Sequence, residues 1–307
     1  MKPASVSVVI CAYTDQRWSQ LLAAVDSVRS QTQAAHQLIV VIDHNEALQA
    51  RAGAEMPNAI VVANRGPRGL SGGRNTGVEI ATGEVVAFLD DDAAAERDWL
   101  EHLSEPFTSP EVAGAGGLAV PDWSTPRPRW FPEEFFWVIG CSYRGMPTSR
   151  ERVRNPIGCN MAFRRTVFSE IGGFRSDFGI VGRRPVGAEE TELSIRLANK
   201  LPEARIVYVP GAAVRHYVPA DRATWRYFAT RCYREGIGKA RLRRLAGAGG
   251  GLSTEMKYVG RTLPLGVLRG LGQSLLRRNL AGVARSTAIA IGLTLTVAGF
   301  VVGSVRR

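Results

Sequence analysis

Residues 85–92 read Val85, Val86, Ala87, Phe88, Leu89, Asp90, Asp91, Asp92, an apolar run that stops in three consecutive carboxylates. Five apolar residues followed at once by three acids describe a buried strand that delivers charge to the edge of its sheet. Adjacent carboxylates repel one another and resist burial, so this strand end suits a cation. In open α/β sheets ligands bind outside the carboxyl ends of the strands. A divalent ion held there by only one or two carboxylates keeps coordination positions for substrate phosphates. A nucleoside diphosphate compound is the ligand class that follows. The competing reading is a helix cap, with Asp91 or Asp92 capping a helix through Trp99, Leu100 and Leu103, although a cap uses only one acid.

Outward from this strand, residues 5–12 (SVSVVICA), 38–42 (LIVVI) and 59–63 (AIVVA) are further runs rich in Val and Ile. Between the first two, Leu21, Leu22, Val25 and Val28 recur at helical spacing over 18–29. A loop is expected over 64–73 and a helix over 75–81. Strand and helix alternate four times, which predicts an α/β fold with a parallel sheet covered by helices. Residues 121–147 are rich in Pro, Trp and Phe, so an insertion or lid is expected there, its aromatics (Trp123, Trp130, Phe131, Phe135, Phe136, Trp137) mostly in the core. A glycine corner at Gly172 and Gly173, a helix through Thr191, Leu193, Ile195 and Leu197, and a strand over 205–209 follow. Asp221 is expected to cap an amphipathic helix bearing Trp225, Phe228, Cys232 and Tyr233, and residues 247–251 (GAGGG) read as a hinge.

The net charge of +11 is unevenly spread. From His216 onward sixteen Lys and Arg face only Asp221, Glu235 and Glu255, whereas the chain upstream carries a slight acidic excess. Such a segment suits nucleic acid, acidic protein or anionic lipid. Residues 286–305 are twenty uncharged residues, bounded by Arg285, Arg306 and Arg307. At about 1.5 Å per residue this run just crosses a hydrocarbon core of roughly 30 Å. It is rich in Gly, Thr and Ala, so three seatings stay open: a transmembrane span, a segment in the membrane interface, and a helix packed on protein. Arg261, Arg269, Arg277, Arg278 and Arg285 recur just upstream, which favours an anionic membrane surface. A nucleic-acid binder leaves the acids unused, and the basic segment has no reader motif, so no nucleic-acid partner is expected. No early run has the form of a signal peptide, and the catalytic body is expected at the cytoplasmic face of a membrane. Cys11, Cys141, Cys159 and Cys232 lack disulfide or zinc spacing and read as thiols.

The landmarks SVVICAYTDQR (7–17), the strand ending at Asp43, GPRGLSGGRNTGV (66–78), FLDDD (88–92), NPIGCNMAFRR (155–165), GGF (172–174), GAEETELSIRL (187–197) and VRHYVP (214–219) occur in an order that resembles glycosyltransferase family 2. The resemblance covers roughly residues 6–219. It implies a GT-A fold, a Rossmann-like mixed, mainly parallel sheet flanked by helices, and an inverting transferase that uses a nucleotide-sugar donor. The expected organisation is a glycosyltransferase domain over 1–246, with a nucleotide-sugar half (1–120) and an acceptor half (121–246), and, after the glycine hinge, the basic and apolar membrane-associating segment over 247–307.

Carried to this chain, the resemblance implies that Ala12, Tyr13 and Asp15 cradle the nucleobase end of the donor and that Asp43 reaches the base, where a carboxylate accepts the imide proton of uracil. Arg74, with Gly69, Gly72 and Gly73 around it, is implied to contact the diphosphate. Asp90 and Asp91 correspond to the donor-facing part of the D-x-D signature. Asp92 and His216 are the implied ligands of Mn2+ or Mg2+, which would neutralise the leaving group. Glu190 is the implied base, in a second position where the family usually carries Asp, and Glu189 supports it or contacts the acceptor, so the assignment between the two glutamates stays open. Their plainer reading is acids favoured in the first turn of a helix. Arg183 and Arg184 precede the base in a loop and suit a carboxylated sugar, which favours UDP-glucuronate among UDP-sugars. WFPEEF and RATWRYF are similar to segments of members that extend lipid-linked or cell-envelope glycans. A nucleotide-sugar-binding membrane protein without turnover is the alternative, and the intact set of acids argues against it.

Overall fold

The computed structural model describes residues 4–181, 184–186, 188–246 and 253–305. The chain divides into two compact units, Met1–Val120 with Pro147–His216, and Pro121–Met146 with Tyr217–Arg307.

In the first unit the alternation appears as β1 (Val6–Ala12), α1 (Trp18–Arg29), β2 (Gln37–Ile42), α2 (Glu46–Glu55), β3 (Ile60–Ala63), α3 (Leu70–Ile80) and β4 (Val85–Asp90). Then come β5 (Ala93–Ala95), α4 (Trp99–Ser104), β6 (Val112–Trp123), β7 (Glu151–Val153), β8 (Asn160–Arg164), α5 (Arg165–Ile171), the hairpin β9 (Gly179–Val181) and β10 (Arg184–Val186), α6 (Glu189–Lys200) and β11 (Arg205–Val218). Among the described residues nine strands form one sheet in the order β3-β2-β1-β4-β8-β6-β11-β5, with β7 also on β11. The parallel part is β3-β2-β1-β4, and β8 turns the sheet antiparallel by pairing with β4 from Val85↔Arg164 to Leu89↔Asn160. This is the expected mixed α/β sheet. One face buries Val8, Ile10, Val40, Leu89 and Trp99 under α1, α2 and α4, and the other buries Val9, Ile39, Phe88, Phe163 and Leu193. Burial on both faces explains the unbroken apolar runs of the central strands.

Two local readings are corrected in this unit. The helix after β3 begins at Leu70 rather than 75, so Gly72 and Gly73 lie inside α3 and not in an open loop. Glycine suits the helix because it packs tightly: a Cβ on Gly72 would fall 1.9 Å from the Pro67 carbonyl oxygen, and one on Gly77 2.4 Å from Val9. The helix of Trp99 is capped by neither Asp91 nor Asp92, because β5 intervenes and Asp98 occupies the cap position.

The second unit contains the aromatic turn Glu133–Ile139, α7 (Trp225–Ala246), α8 (Ser253–Lys257), a π turn at Tyr258–Thr262, α9 (Leu263–Arg277) and α10 (Ala281–Val305). Phe131, Phe135, Val138, Phe228, Cys232 and Ile289 form its core, with Trp130 stacked on Trp225 at 3.9 Å, so most of the 121–147 aromatics are packed as expected. Thr224 rather than Asp221 caps α7, its hydroxyl accepting from the Tyr227 amide at 3.3 Å. The expected hinge over 247–251 lies outside the described residues.

α10 is long and apolar enough to cross a membrane by length and composition. One face, with Gly282, Ser286, Ile289, Gly292, Gly299 and Gly303, is buried. A Cβ on Gly299 would lie 1.9 Å from the Tyr233 carbonyl, so the backbones of α7 and α10 touch. The opposite face exposes Val283, Ile291, Val297, Val301 and Val305.

Candidate active site

β4 brings Asp90 to the carboxyl edge of the sheet, and Asp91 and Asp92 follow in a buried turn. The chain then enters β5, which pairs antiparallel with β11 in the register Ala93↔His216. That register sets His216 beside Asp92, with Nε2 3.1 Å from Oδ1. One ligand atom each of Asp90, Asp92 and His216 lies within 4.8 Å of the others. Two carboxylates and an imidazole converging at that spacing fit a divalent cation. Asp90, read from sequence as donor-facing, thus joins the two residues implied to be metal ligands.

Arg17 faces this cluster from the turn after β1. Its Nη1 is 2.9 Å from Asp91 Oδ1 and 3.0 Å from Asp92 Oδ2, and its guanidinium lies 5.6 Å from the Tyr13 ring centroid. Asp91 Oδ2 is buried without a hydrogen-bond partner. Burial pushes the Asp91 carboxyl up to about 7, with Asp92 adding to the rise and Arg17 opposing it. A site with this surplus of buried negative charge is one that a cation would relieve.

α3 and α6 meet through Arg74. The guanidinium is 2 % exposed, with Nη1 donating to Glu189 Oε1 at 2.8 Å and Nη2 to Asp90 Oδ1 at 3.2 Å and to the Gly158 carbonyl at 2.9 Å. Burial works against its charge, and Glu189 and then Asp90 more than offset that and hold it protonated. Arg74 therefore ties the strand end of the acids to the helix of the glutamates. Glu189 is buried, and its Oε2 has no hydrogen-bond partner. Glu190 is half-buried, accepts from the Thr191 hydroxyl at 3.3 Å, and has its Oε2 3.8 Å from where a Cβ on Gly158 would stand. Ala188, just before them, has φ 96°, a left-handed conformation that costs a non-glycine residue about 1–2 kcal/mol.

The implied nucleotide end lies along the ends of β1 and β2. Ala12 is buried as the last residue of β1, Tyr13 is half-exposed, and Asp15 opens a single 3-10 turn. Asn45 caps α2 and donates its amide to the Tyr13 carbonyl at 3.2 Å and to Asp15 Oδ2 at 3.3 Å. Asp43 uses both oxygens within the protein: Oδ1 accepts from Asn64 at 2.6 Å and Oδ2 from the Gly69 amide at 2.9 Å. It pins the start of α3. Arg183 lies outside the described residues, and Arg184 opens β10 opposite Val181.

Sequence reasoning missed Arg17 and Asn160. Arg17 belongs to the first landmark, yet nothing local distinguishes it from a surface arginine before a helix. Asn160 is fully buried, accepts from Trp99 Nε1 at 2.8 Å and donates to the carbonyls of Leu118 at 3.1 Å and Ala212 at 2.8 Å. Its position in NPIGCN was the only available signal.

Comparison with known proteins agrees with this arrangement. Residues 7–172 match the family described as Glycosyl transferase family 2. The chain is 37 % identical over 238 residues to a glucosyl-dolichyl phosphate glucuronosyltransferase of Haloferax volcanii, covering 76 % of each chain. It is 25 % identical over 244 residues to the succinoglycan biosynthesis protein ExoM of Rhizobium meliloti, covering 77 % of this chain and 74 % of that one. In fold it is similar to the mannosyltransferase PcManGT of Pyrobaculum calidifontis, solved with GDP-Man and Mn2+, at a TM-score of 0.63 and 17 % identity over 98 % of this chain and 88 % of that one. It is also similar in fold to GalNAc-T7, solved with UDP, GalNAc and Mn2+, at a TM-score of 0.54 and 20 % identity over 84 % of this chain, which spans only 54 % of that structure. With more than half its length matched, the chain belongs to glycosyltransferase family 2 and has the GT-A fold.

Proposed function

We propose that this glycosyltransferase inverts the anomeric centre of a UDP-sugar, best UDP-glucuronate, and transfers the sugar to a hydroxyl of a lipid-linked or cell-envelope glycan at a membrane surface. The observation that carries the chemistry is the convergence of Asp90, Asp92 and His216 at the sheet edge that also holds Arg74, Glu189 and Glu190. Asp90, Asp92 and His216 would hold Mn2+ or Mg2+, which when bound neutralises charge on the leaving diphosphate. In this reading Ala12, Tyr13, Asp15 and Asp43 border the nucleoside, and Asp91, Gly72 and the arginines Arg183 and Arg184 belong to the donor side.

Glu190 takes the proton of the acceptor hydroxyl as its oxygen attacks the anomeric carbon. The new glycosidic bond forms as the bond to the β-phosphate oxygen breaks, and the nucleoside diphosphate leaves unprotonated. Glu189, held by Arg74, positions the helix turn rather than moving the proton. The glucuronate preference draws support from the 37 % identity to a relative named for that transfer to a dolichyl phosphate glucoside. The test is incubation of the full chain with UDP-glucuronate or UDP-glucose, Mn2+ and a glucosyl polyprenyl phosphate. A uronosylated lipid is expected, and a product from UDP-glucose alone would move the donor to a neutral sugar.

For the membrane we infer an in-plane seating of α10 at the cytoplasmic face. Thr296, at the middle of the apolar run, has its carbonyl where a Cβ on Gly236 of α7 would stand. α7 carries Arg226, Arg231, Arg234, Lys239, Arg243 and Arg244. A spanning α10 packed this way would carry α7 charges into the hydrocarbon at about 2.5–3.5 kcal/mol each. An interfacial seating leaves them at headgroup level and buries the valine face.

A further inference from the structure

The second unit contains a cleft of about 340 Å3 that the transfer chemistry does not use. It is lined by five arginines, Arg127, Arg129, Arg144, Arg269 and Arg285, against two carboxylates, Glu133 and Glu134. The carboxylates are spoken for. Glu133 accepts from Arg127 at 3.1 Å and from Arg144, and the buried Glu134 accepts from Arg269 at 2.9 Å. A surplus of three positive charges remains.

Two guanidiniums account for most of that surplus. Among the described residues Arg285 donates to two neutral groups, the Arg129 carbonyl at 3.2 Å and Gln273 Oε1 at 2.5 Å, and it is half-buried. Among the described residues neither Arg129 nor Arg285 has a carboxylate partner. Arg129 is exposed, and the half-buried Arg285, partly desolvated and without a carboxylate partner, carries a cost in free energy that an anion would offset. The guanidinium fork matches phosphate oxygens two at a time, and α9 adds Arg269 and Gln273 to the same cleft wall.

The leucines of α9 point to the source of the phosphate. Leu268, Leu271 and Leu275 are exposed on the side away from Gly266, Gly270 and Gln273, and Leu265 and Leu276 are exposed on the flank beside Arg269, with Leu275 and Leu276 more than four-fifths accessible. With the leucines in the acyl boundary, a helix about 10 Å thick sets the arginine cleft at the level of lipid headgroups. We propose that this cleft binds the phosphate of a membrane amphiphile. The proposal draws on the membrane seating above but not on the transfer reaction.

The test uses the full chain and flotation with neutral phosphatidylcholine vesicles, doped with a long-chain polyprenyl monophosphate, with an anionic phospholipid at equal charge, or with neither. Inorganic phosphate is added separately as competitor. Lipid phosphate should raise binding at least tenfold over neutral vesicles. Arg129→Gln with Arg285→Gln should remove that increment while leaving binding to neutral vesicles and the melting temperature unchanged, and Arg285→Lys should keep part of it. If polyprenyl phosphate alone recruits, the ligand is the acceptor-type lipid; if both dopants recruit equally through the two arginines, it is the general headgroup. Undiminished recruitment of the double variant, or no response of the wild type to either dopant, overturns the proposal. No donor or turnover enters the assay, so its failure and that of the transferase reading are separable.

Discussion

Arg74 Nη1 lies 2.8 Å from Glu189 Oε1, and both side chains are at least 95 % buried. The first glutamate of the pair is therefore the buried counter-ion of the arginine that also holds Asp90. Glu189→Gln should cost about 3 kcal/mol of stability, because it leaves a buried guanidinium half-compensated. Glu190→Gln should melt within a degree or two of wild type and lose turnover about a hundredfold or more with donor affinity retained. Urea melts and single-turnover assays on the two variants check this. Reversed roles would show as an unstable Glu190→Gln and a stable, inactive Glu189→Gln.

Arg17 offsets part of the negative charge of Asp91 and Asp92 from outside the metal-suited cluster. In Arg17→Ala those carboxylates lose their counter-charge, so the metal-free protein should lose about 1–3 kcal/mol and regain more of it than wild type when Mn2+ is added. Thermal melts with and without Mn2+ measure the two increments. Equal increments would mean that Arg17 and the cation do not share the same charge.

Much of this was legible in the chain. The run into Asp90 placed the acids at a strand end because buried parallel strands are uninterrupted apolar runs, and that is where β4 ends. The start of α3 was hidden: Gly72 and Gly73 look like loop residues by propensity, and only the contacts with Pro67 and Cys11 show why a helix uses them. That Arg74, which the resemblance sets against the diphosphate, also meets Glu189 more than a hundred residues away has no sign in the sequence. The closure of β5 on β11, which sets His216 beside Asp92, is likewise a long-range pairing with no local mark.

Glu133 links pH to the second unit. Burial raises its carboxyl, and hydrogen bonds from Arg144 and Arg127 outweigh that and hold it below the usual carboxylate range. The unfolded chain binds the proton first as pH falls, so this pair stabilises at neutral pH and the contribution is lost as pH drops through the folded value. Glu133→Gln should flatten the acid limb of the stability profile, measured by urea melts from about pH 3 to pH 7. It should also free two arginines and tighten recruitment by polyprenyl phosphate. An unchanged acid limb would contradict the charge assignment in the cleft.

In-plane seating of α10 predicts that N- and C-terminal tags in sealed vesicles are digested together from one side. A protected C-terminal tag would establish a crossing. Gly299→Leu, which drives a side chain into the Tyr233 carbonyl, should lower the melting temperature by separating α10 from α7, at a cost of about 1–3 kcal/mol or more.

The most direct measurement is transfer of radiolabelled glucuronate from UDP-glucuronate to a glucosyl polyprenyl phosphate by the full chain, with Mn2+ and with chelator, beside Asp92→Ala and His216→Ala. The account predicts a labelled lipid only with the metal, and loss of both product and Mn2+-dependent donor binding in the two variants. Full activity in chelator, or Mn2+-dependent binding retained by both variants, would contradict it.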